Sequence, residues 1–276
     1  MTASKYLVCI FQSVFIFFSG IALGQIQIVT SGGEVADSLF SAQLPVGGRL
    51  VFIPTAASSL RSASGLIWDP DKIENRDSFL IELRQRFHVK DIVILHTRNR
   101  GEANSKDFVA VLKNAAAVWI SGGNAGRFMA TYKNSLVEKE LRSLLSRGGI
   151  IGGESAGAIV QGEYTIRGNP DKPVLMAKGS EQGIGLLKGI AINPHLSAQK
   201  RENELVSIID TYPALTGIGI DDNTGLIIKK GIAEVFGTGR VAIYDNRKHK
   251  AGWYFWLKPG QKFDLNSRKP VGFVED

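Results

Sequence analysis

The sequence predicts an α/β fold built on a mainly parallel sheet with helices on both faces. Two observations carry this. Short apolar runs alternate with amphipathic stretches through the first half of the chain. Two glycine-rich turns, Ser121-Gly122-Gly123-Asn124 and Gly153-Glu154-Ser155-Ala156-Gly157, each follow an apolar run. Strand, helix, strand, helix in succession is the pattern of parallel crossover units. Sheets built this way place their sites beyond the carboxyl ends of the strands.

Ile26–Thr30 reads as the first strand and runs into Ser31-Gly32-Gly33. Arg49–Pro54 reads as the second, stopped by its proline. Asn75–Phe87 has helical spacing through Phe79, Leu80, Leu83 and Phe87. Asp91–Leu95 reads as a strand, and Ser105–Asn114 as a helix with Ser105 at its N-cap. Ala117–Ile120 is a strand feeding the first glycine turn. Ser135–Ser146 is helical through Leu136, Leu141, Leu144 and Leu145, and Gly149–Ile151 is a short buried strand that feeds the serine motif. In the second half, Gly189–Asn193 and Gly217–Asp221 read as strands around an amphipathic helix, Lys200–Thr211. Gly225–Lys229, Ala233–Phe236, Val241–Tyr244 and Trp253–Leu257 read as short antiparallel strands near the C-terminus.

Lys5 precedes an apolar run, Tyr6 to Leu23, that closes on Ala22-Leu23-Gly24, a small-x-small pattern. This is the form of a cleaved signal peptide over residues 1–24. It implies a periplasmic or secreted protein with one domain over residues 25–276. The rival reading of the run is an uncleaved membrane anchor. The single cysteine, Cys9, lies inside the segment, so the remainder holds neither a thiol nucleophile nor a cysteine metal site. The formal charge of +7 comes from scattered lysines and arginines. No basic stripe of the kind that binds nucleic acid is present.

Gly153-Glu154-Ser155-Ala156-Gly157 between a strand and a helix is the pattern of a nucleophile elbow. The sharp turn exposes the Ser155 hydroxyl, and the Ala156 N–H points to where an oxyanion would form. The Gly122-Gly123 turn ends the neighbouring strand and can supply a second donor. A serine needs a base. Of His88, His96, His195 and His249, the first two end elements in the first half and His249 lies in a charged turn, so each reads as a surface or capping residue. His195 follows a strand at the carboxyl edge where Ser155 belongs. Two acids can orient it: Asp171, in the loop after the serine helix, and Asp222, beyond the Gly217–Asp221 strand.

These segments resemble the cyanophycinase and aspartyl-dipeptidase family of serine peptidases. The likeness rests on Ser31-Gly32-Gly33, Ile53-Pro54-Thr55-Ala56, Ile120-Ser121-Gly122-Gly123-Asn124, Gly153-Glu154-Ser155-Ala156-Gly157-Ala158, Gly217-Ile218-Gly219-Ile220-Asp221-Asp222-Asn223-Thr224 and the tail Leu257–Leu265. The resemblance implies a three-layer αβα fold like that of glutamine amidotransferase domains, and a Ser–His–acid mechanism needing neither metal nor cofactor. It carries Ser155 and His195 over directly. Its cyanophycinase branch points to Asp222 as the acid, its dipeptidase branch to Asp171. Two departures bear on substrate: only Arg201 keeps a matching arginine after the histidine, and Glu154 stands where Thr or Trp is expected. A short aspartyl or isoaspartyl peptide is then the expected substrate, with Asn124, Arg201 and Arg167 as its binding residues. The expected partner is this small peptide, with no nucleic acid and no membrane beyond the N-terminal segment; a homodimer is left open. Two other readings stand beside it: an α/β-hydrolase-type esterase using Asp171, and a secreted binding protein without turnover.

Overall fold

The structure is a computed structural model that describes residues 25–166, 181–250 and 252–272. The proposed signal segment, Arg167 and Asp171 lie outside the described residues. In chain order the elements are β1 (Ile26–Thr30), α1 (Glu34–Gln43), β2 (Leu50–Ile53), β3 (Leu60–Arg61), β4 (Ile67–Trp68), α2 (Arg76–Phe87), β5 (Ile92–Ile94), α3 (Lys106–Lys113), β6 (Ala117–Ile120), α4 (Ala125–Tyr132), α5 (Leu136–Ser146), β7 (Ile150–Glu154), the single turn α6 (Ala156–Ile159), β8 (Gly162–Tyr164), β9 (Leu187–Pro194), α7 (Glu204–Thr211), β10 (Thr216–Ile220), β11 (Thr224–Lys229), β12 (Ile232–Gly237), β13 (Val241–Tyr244), β14 (Phe255–Leu257), β15 (Lys262–Asp264) and β16 (Lys269–Val271).

The strands form two large sheets, where the sequence suggested one mainly parallel sheet. The first has nine strands in the order β16-β15-β12-β11-β1-β7-β6-β2-β5. Its β1-β7-β6-β2-β5 half is parallel, and from β11 outward every pairing is antiparallel. The second has five strands in the order β14-β13-β10-β9-β8, with β8, β9 and β10 parallel. Antiparallel pairing is therefore as prominent as parallel. The strands expected from apolar runs are present, while the short β3, β4, β8, β15 and β16 were not expected, and a run carries no label saying which sheet it joins.

Alternation along the strands separates the cores. In β2, Leu50 and Phe52 pack with Trp119 of β6 beneath α1 and α2, around Phe40, Phe79 and Phe87. Val51 and Ile53 face the opposite way and pack with Val118, Ile120 and Ile151 beneath α3, α4 and α5. Strands buried on both faces follow from helices on both sides. On the antiparallel half, the second sheet takes the place of those helices. Val29, Leu226 and Ile228 meet Ile190, Ile192, Ile218 and Ile243 in a third core.

Two helices escaped the sequence reading. α1 buries only Ala36 and Phe40 along its length, so its apolar stripe is thin. α4 is short and holds Gly126. Ser105 stands at the N-cap of α3, but its hydroxyl makes no capping bond. β7 continues through Gly152 and Gly153 to Glu154, further than expected; a Cβ on Gly152 would overlap the Trp119 and Phe40 rings and one on Gly153 the Gly157 carbonyl, so only glycine lets the strand run on there.

Candidate active site

β7 ends at Glu154, and the chain turns at Ser155 into α6. Ser155 holds φ 52° and ψ −113°, a conformation that non-glycine residues avoid. Such strain is of order 1–3 kcal/mol and persists where surrounding contacts dictate it. Here the contacts are visible. The Ser155 N–H donates to the Thr30 carbonyl of β1 at 2.8 Å. A Cβ on Gly157 would overlap the Ile120 carbonyl, so α6 lies hard against the end of β6.

His195 arrives from the other sheet. β9 ends at Pro194, and His195 takes a left-handed φ of 60°. Its Nε2 lies 3.0 Å from Ser155 Oγ, and its Nδ1 lies 2.5 Å from Asp222 Oδ1. A carboxylate only accepts, so Nδ1 carries the hydrogen and the Nε2 lone pair faces the serine hydroxyl. Asp222 follows β10, the strand paired in parallel with β9, so both groups reach the same edge. The 221–224 turn is tied to the first sheet: Ser31 Oγ donates to the Asp221 carbonyl at 2.7 Å, and Thr30 Oγ1 to the Thr224 carbonyl at 2.7 Å. Asp221 itself holds the His195 loop, accepting from Ser197 Oγ at 2.6 Å.

The donor loop after β6 lies beside this group. A Cβ on Gly122 would sit 3.3 Å from Ser155 Cβ. The Asn124 N–H is bound to the Ala56 carbonyl at 2.8 Å, while the Gly122 and Gly123 N–H groups meet no acceptor among the described residues. Ala156 opens α6, so its N–H lacks a partner within the helix. These are the donors expected from sequence.

Other expectations change. Asn124 Oδ1 accepts from the Arg127 N–H at 3.1 Å, capping α4, so this side chain serves the fold as well as any ligand. Arg201, expected to hold a substrate carboxylate, places Nη1 on the Pro194 carbonyl at 2.9 Å and braces the turn that carries His195. His88 is the C-cap of α2, as its position suggested. His96 is no surface residue: its side chain is only 10% exposed and is bonded at both nitrogens. His249 is likewise largely covered, bonded through Nε2 to Asp245 at 2.8 Å.

Glu154 has its carboxylate bonded by Arg86. Its side chain lies on the α1–α2 side of the sheet, where Arg86 Nη2 approaches its Oε2 at 2.7 Å. Arg86 also grips Asp37 through Nε and Nη2, both at 2.8 Å, and stacks over Phe87 and Trp119. Burial alone would weaken the guanidinium charge, but Glu154 and Asp37 together hold it above its ordinary value. Burial raises Asp37 above the usual carboxylate range, with Arg86 opposing. This cluster has no local signature, because its members come from α1, α2 and β7.

A hydroxyl on a strained strand-to-helix elbow, an imidazole on it and a carboxylate behind the imidazole define the arrangement of a serine hydrolase. The chain belongs to peptidase family S51, whose model matches residues 28–236. It is 28% identical over 162 residues to a cyanophycinase of Geminocystis herdmanii, a stretch covering 57% of this chain and 60% of that protein. It is 31% identical over 163 residues to a cyanophycinase of Synechococcus elongatus, covering 58% of this chain and 51% of the relative. The similarity to peptidase E of Escherichia coli is 26% over 146 residues, covering 50% and 62%. The matched stretch thus spans about half to three fifths of the curated relatives' length. Among solved structures, a peptidase from an acI-B1 actinobacterium superposes with a TM-score of 0.64 at 21% identity, covering 88% of this chain and 98% of that one. A putative peptidase E of Listeria monocytogenes gives 0.52 at 16% identity, covering 78% and 100%. These likenesses support a mixed α/β fold with parallel strands and several helices. Among the described residues, no helix is long and apolar enough to cross a membrane.

Proposed function

We propose that this chain is a serine peptidase that cleaves short aspartyl or isoaspartyl peptides through an acyl-enzyme. The observation that supports it most is the relay Ser155 Oγ–His195 Nε2–Asp222 Oδ1, with spacings of 3.0 Å and 2.5 Å. His195 takes the Ser155 proton as Oγ attacks the peptide carbonyl. The oxyanion is held by the N–H groups of Gly123 and Ala156, with Gly122 beside them. His195 then returns the proton to the leaving amine. Water, deprotonated by the same imidazole, attacks the ester and frees Ser155. Asp222 keeps Nδ1 protonated and stabilises the imidazolium in between.

The choice of substrate draws on the relatives, cyanophycinases and peptidase E. Glu154 pairs with Arg86, shared with Asp37, on the α1–α2 side of the sheet, which is compatible with an acidic substrate at Ser155. Residues 1–24 are proposed as an export signal, which makes the peptidase periplasmic or secreted. The test is hydrolysis of α-aspartyl, β-aspartyl and neutral dipeptides by wild type and Ser155→Ala. Cleavage of one aspartyl class, abolished in the variant, supports the reading. Equal cleavage of neutral dipeptides overturns the substrate class, and activity that survives in Ser155→Ala overturns the mechanism.

A further inference from the structure

Behind the Gly122–Asn124 donor loop runs a second hydrogen-bond relay that the Ser155 chemistry does not touch. The turn Pro54–Ala57 follows β2, and the donor loop is laid upon it. The Ser121 N–H donates to the Ile53 carbonyl at 3.1 Å, and the Asn124 N–H to the Ala56 carbonyl at 2.8 Å. Gly123 lies so close that a Cβ there would overlap Ala56. Three successive carbonyls of this turn are held by arginines. Arg98 Nη1 donates to Thr55, Arg127 Nη1 to Ala56 at 3.2 Å, and Arg98 Nη2 to Ala57 at 2.6 Å.

The one polar side chain of the turn is that of Thr55, fully buried. Its Oγ1 lies 3.0 Å from His96 Nδ1 and 2.9 Å from the Tyr132 hydroxyl. His96 Nε2 lies 2.9 Å from Asp71 Oδ1, and Arg98 Nε holds both oxygens of Asp71 at 3.0 and 3.1 Å. The Thr97 N–H donates to the Tyr132 oxygen at 3.3 Å.

Counting donors gives this chain one direction. Asp71 only accepts, so His96 Nε2 carries a hydrogen. Nδ1 of the neutral ring then accepts from the Thr55 hydroxyl, Thr55 accepts from the Tyr132 hydroxyl, and Tyr132 accepts from the Thr97 N–H. A proton added to Nδ1 turns it from acceptor to donor, and of the two buried hydroxyl hydrogens, those of Thr55 and Tyr132, only one then finds an acceptor within the relay. The charged groups around the ring are Asp71, Asp69 and Arg98, and Glu102 accepts from Thr97 Oγ1 at 2.6 Å beside Tyr132. Burial holds His96 below its ordinary value of 6.5; the Asp71 contact opposes this and the Arg98 charge adds to it.

We propose that His96, with Asp71 and Arg98, is a positioning residue for acylation. In its neutral form it fixes Thr55 and the 54–57 turn, and through that turn the Gly122–Asn124 donors. The inference rests on the reading that these donors stabilise an oxyanion at Ser155. Displacement of such donors by part of an ångström lowers the acylation rate by about ten- to a hundredfold. Thr55→Val cuts the relay while keeping its shape, and Thr55→Ser retains the hydroxyl. His96→Asn keeps an acceptor toward Thr55 but cannot titrate.

The experiment is the rate of Ser155 labelling by a fluorophosphonate, measured from pH 5 to 8 for wild type and these three variants, with kcat and KM on a cleaved dipeptide. Thr55→Val should lose about tenfold or more in kcat with KM nearly unchanged, and Thr55→Ser should recover it. Each labelling rate is divided by the folded fraction measured at the same pH, so the ratio of rates at pH 5.5 and 7.5 reports the site and not stability. In His96→Asn the fall toward acid should be shallower than in wild type, because residue 96 no longer titrates. If wild type labels, and Thr55→Val and His96→Asn match it in rate and pH ratio, the positioning role is wrong. If wild type fails to label, the peptidase reading falls and this role falls with it.

Discussion

Ser155 Oγ and His195 Nε2 lie 3.0 Å apart although they belong to different sheets, one at the end of β7 and the other at the end of β9. The site therefore straddles the seam between the nine-stranded and five-stranded sheets. Asp222 stands at His195 Nδ1, and the Ser31 hydroxyl ties its turn back to β1. Asp222→Asn should lower kcat by about ten-thousand-fold with the fold intact, because the imidazole would present the wrong tautomer. Asp171→Asn should stay within about threefold of wild type on the same triad logic. Steady-state kinetics on both variants checks this, and the reverse ranking would move the acid to Asp171.

The strain at Ser155 separates stability from activity. Its φ of 52° favours glycine. Ser155→Ala and Ser155→Gly should both be inactive. The glycine variant should be the more stable by about 1 kcal/mol, since it removes the strained Cβ at a small entropic cost. Thermal melts of the pair measure the difference.

Arg86 serves two carboxylates in a largely covered site, so its loss leaves Asp37 and Glu154 facing each other without a cation. Arg86→Met should cost about 3 kcal/mol, the penalty of breaking a buried ion pair from one side. Adding Glu154→Gln and Asp37→Asn should restore much of that. Denaturant unfolding of the single and triple variants is the test.

The bond from Arg201 to the Pro194 carbonyl assigns that arginine to the His195 turn. Arg201→Ala should lower kcat for acidic and neutral peptides alike, by roughly tenfold if the imidazole shifts by part of an ångström. A rise in KM confined to acidic peptides would instead mark Arg201 as the substrate clamp.

His96 also bears on stability. Its native value lies below 6.5, so the stability tied to the neutral ring is complete above pH 6.5 and is lost as pH falls through the native value. In His96→Asn, unfolding free energy between pH 7 and pH 5 should decline less than in wild type. An unchanged slope would remove His96 from the acid response.

Much of the site was legible because its chemistry is local. The elbow at Ser155, the Gly122-Gly123 donors and the strand ends bearing His195 and Asp222 all lie in runs whose turns and apolar periods are read over a few residues. What stayed hidden depends on contacts between distant segments. Nothing near Arg86 or Asp37 signals that both reach Glu154, and nothing near His96 signals that Thr55 of β2's turn and Asp71 close around it. The division of the strands between two sheets was hidden for the same reason. β11 and β13 have equally apolar runs, and only tertiary pairing sends one to β1 and the other to β10.

The central claim is a nucleophilic Ser155 driven by His195. Its most direct test is covalent capture: incubation with a fluorophosphonate at pH 7.5, digestion, and peptide mass mapping of wild type, Ser155→Ala and His195→Gln. Wild type should carry one adduct on Ser155, Ser155→Ala none, and labelling should slow by at least about a thousandfold in His195→Gln. An unlabelled wild type, or labelling that proceeds equally without His195, would contradict it.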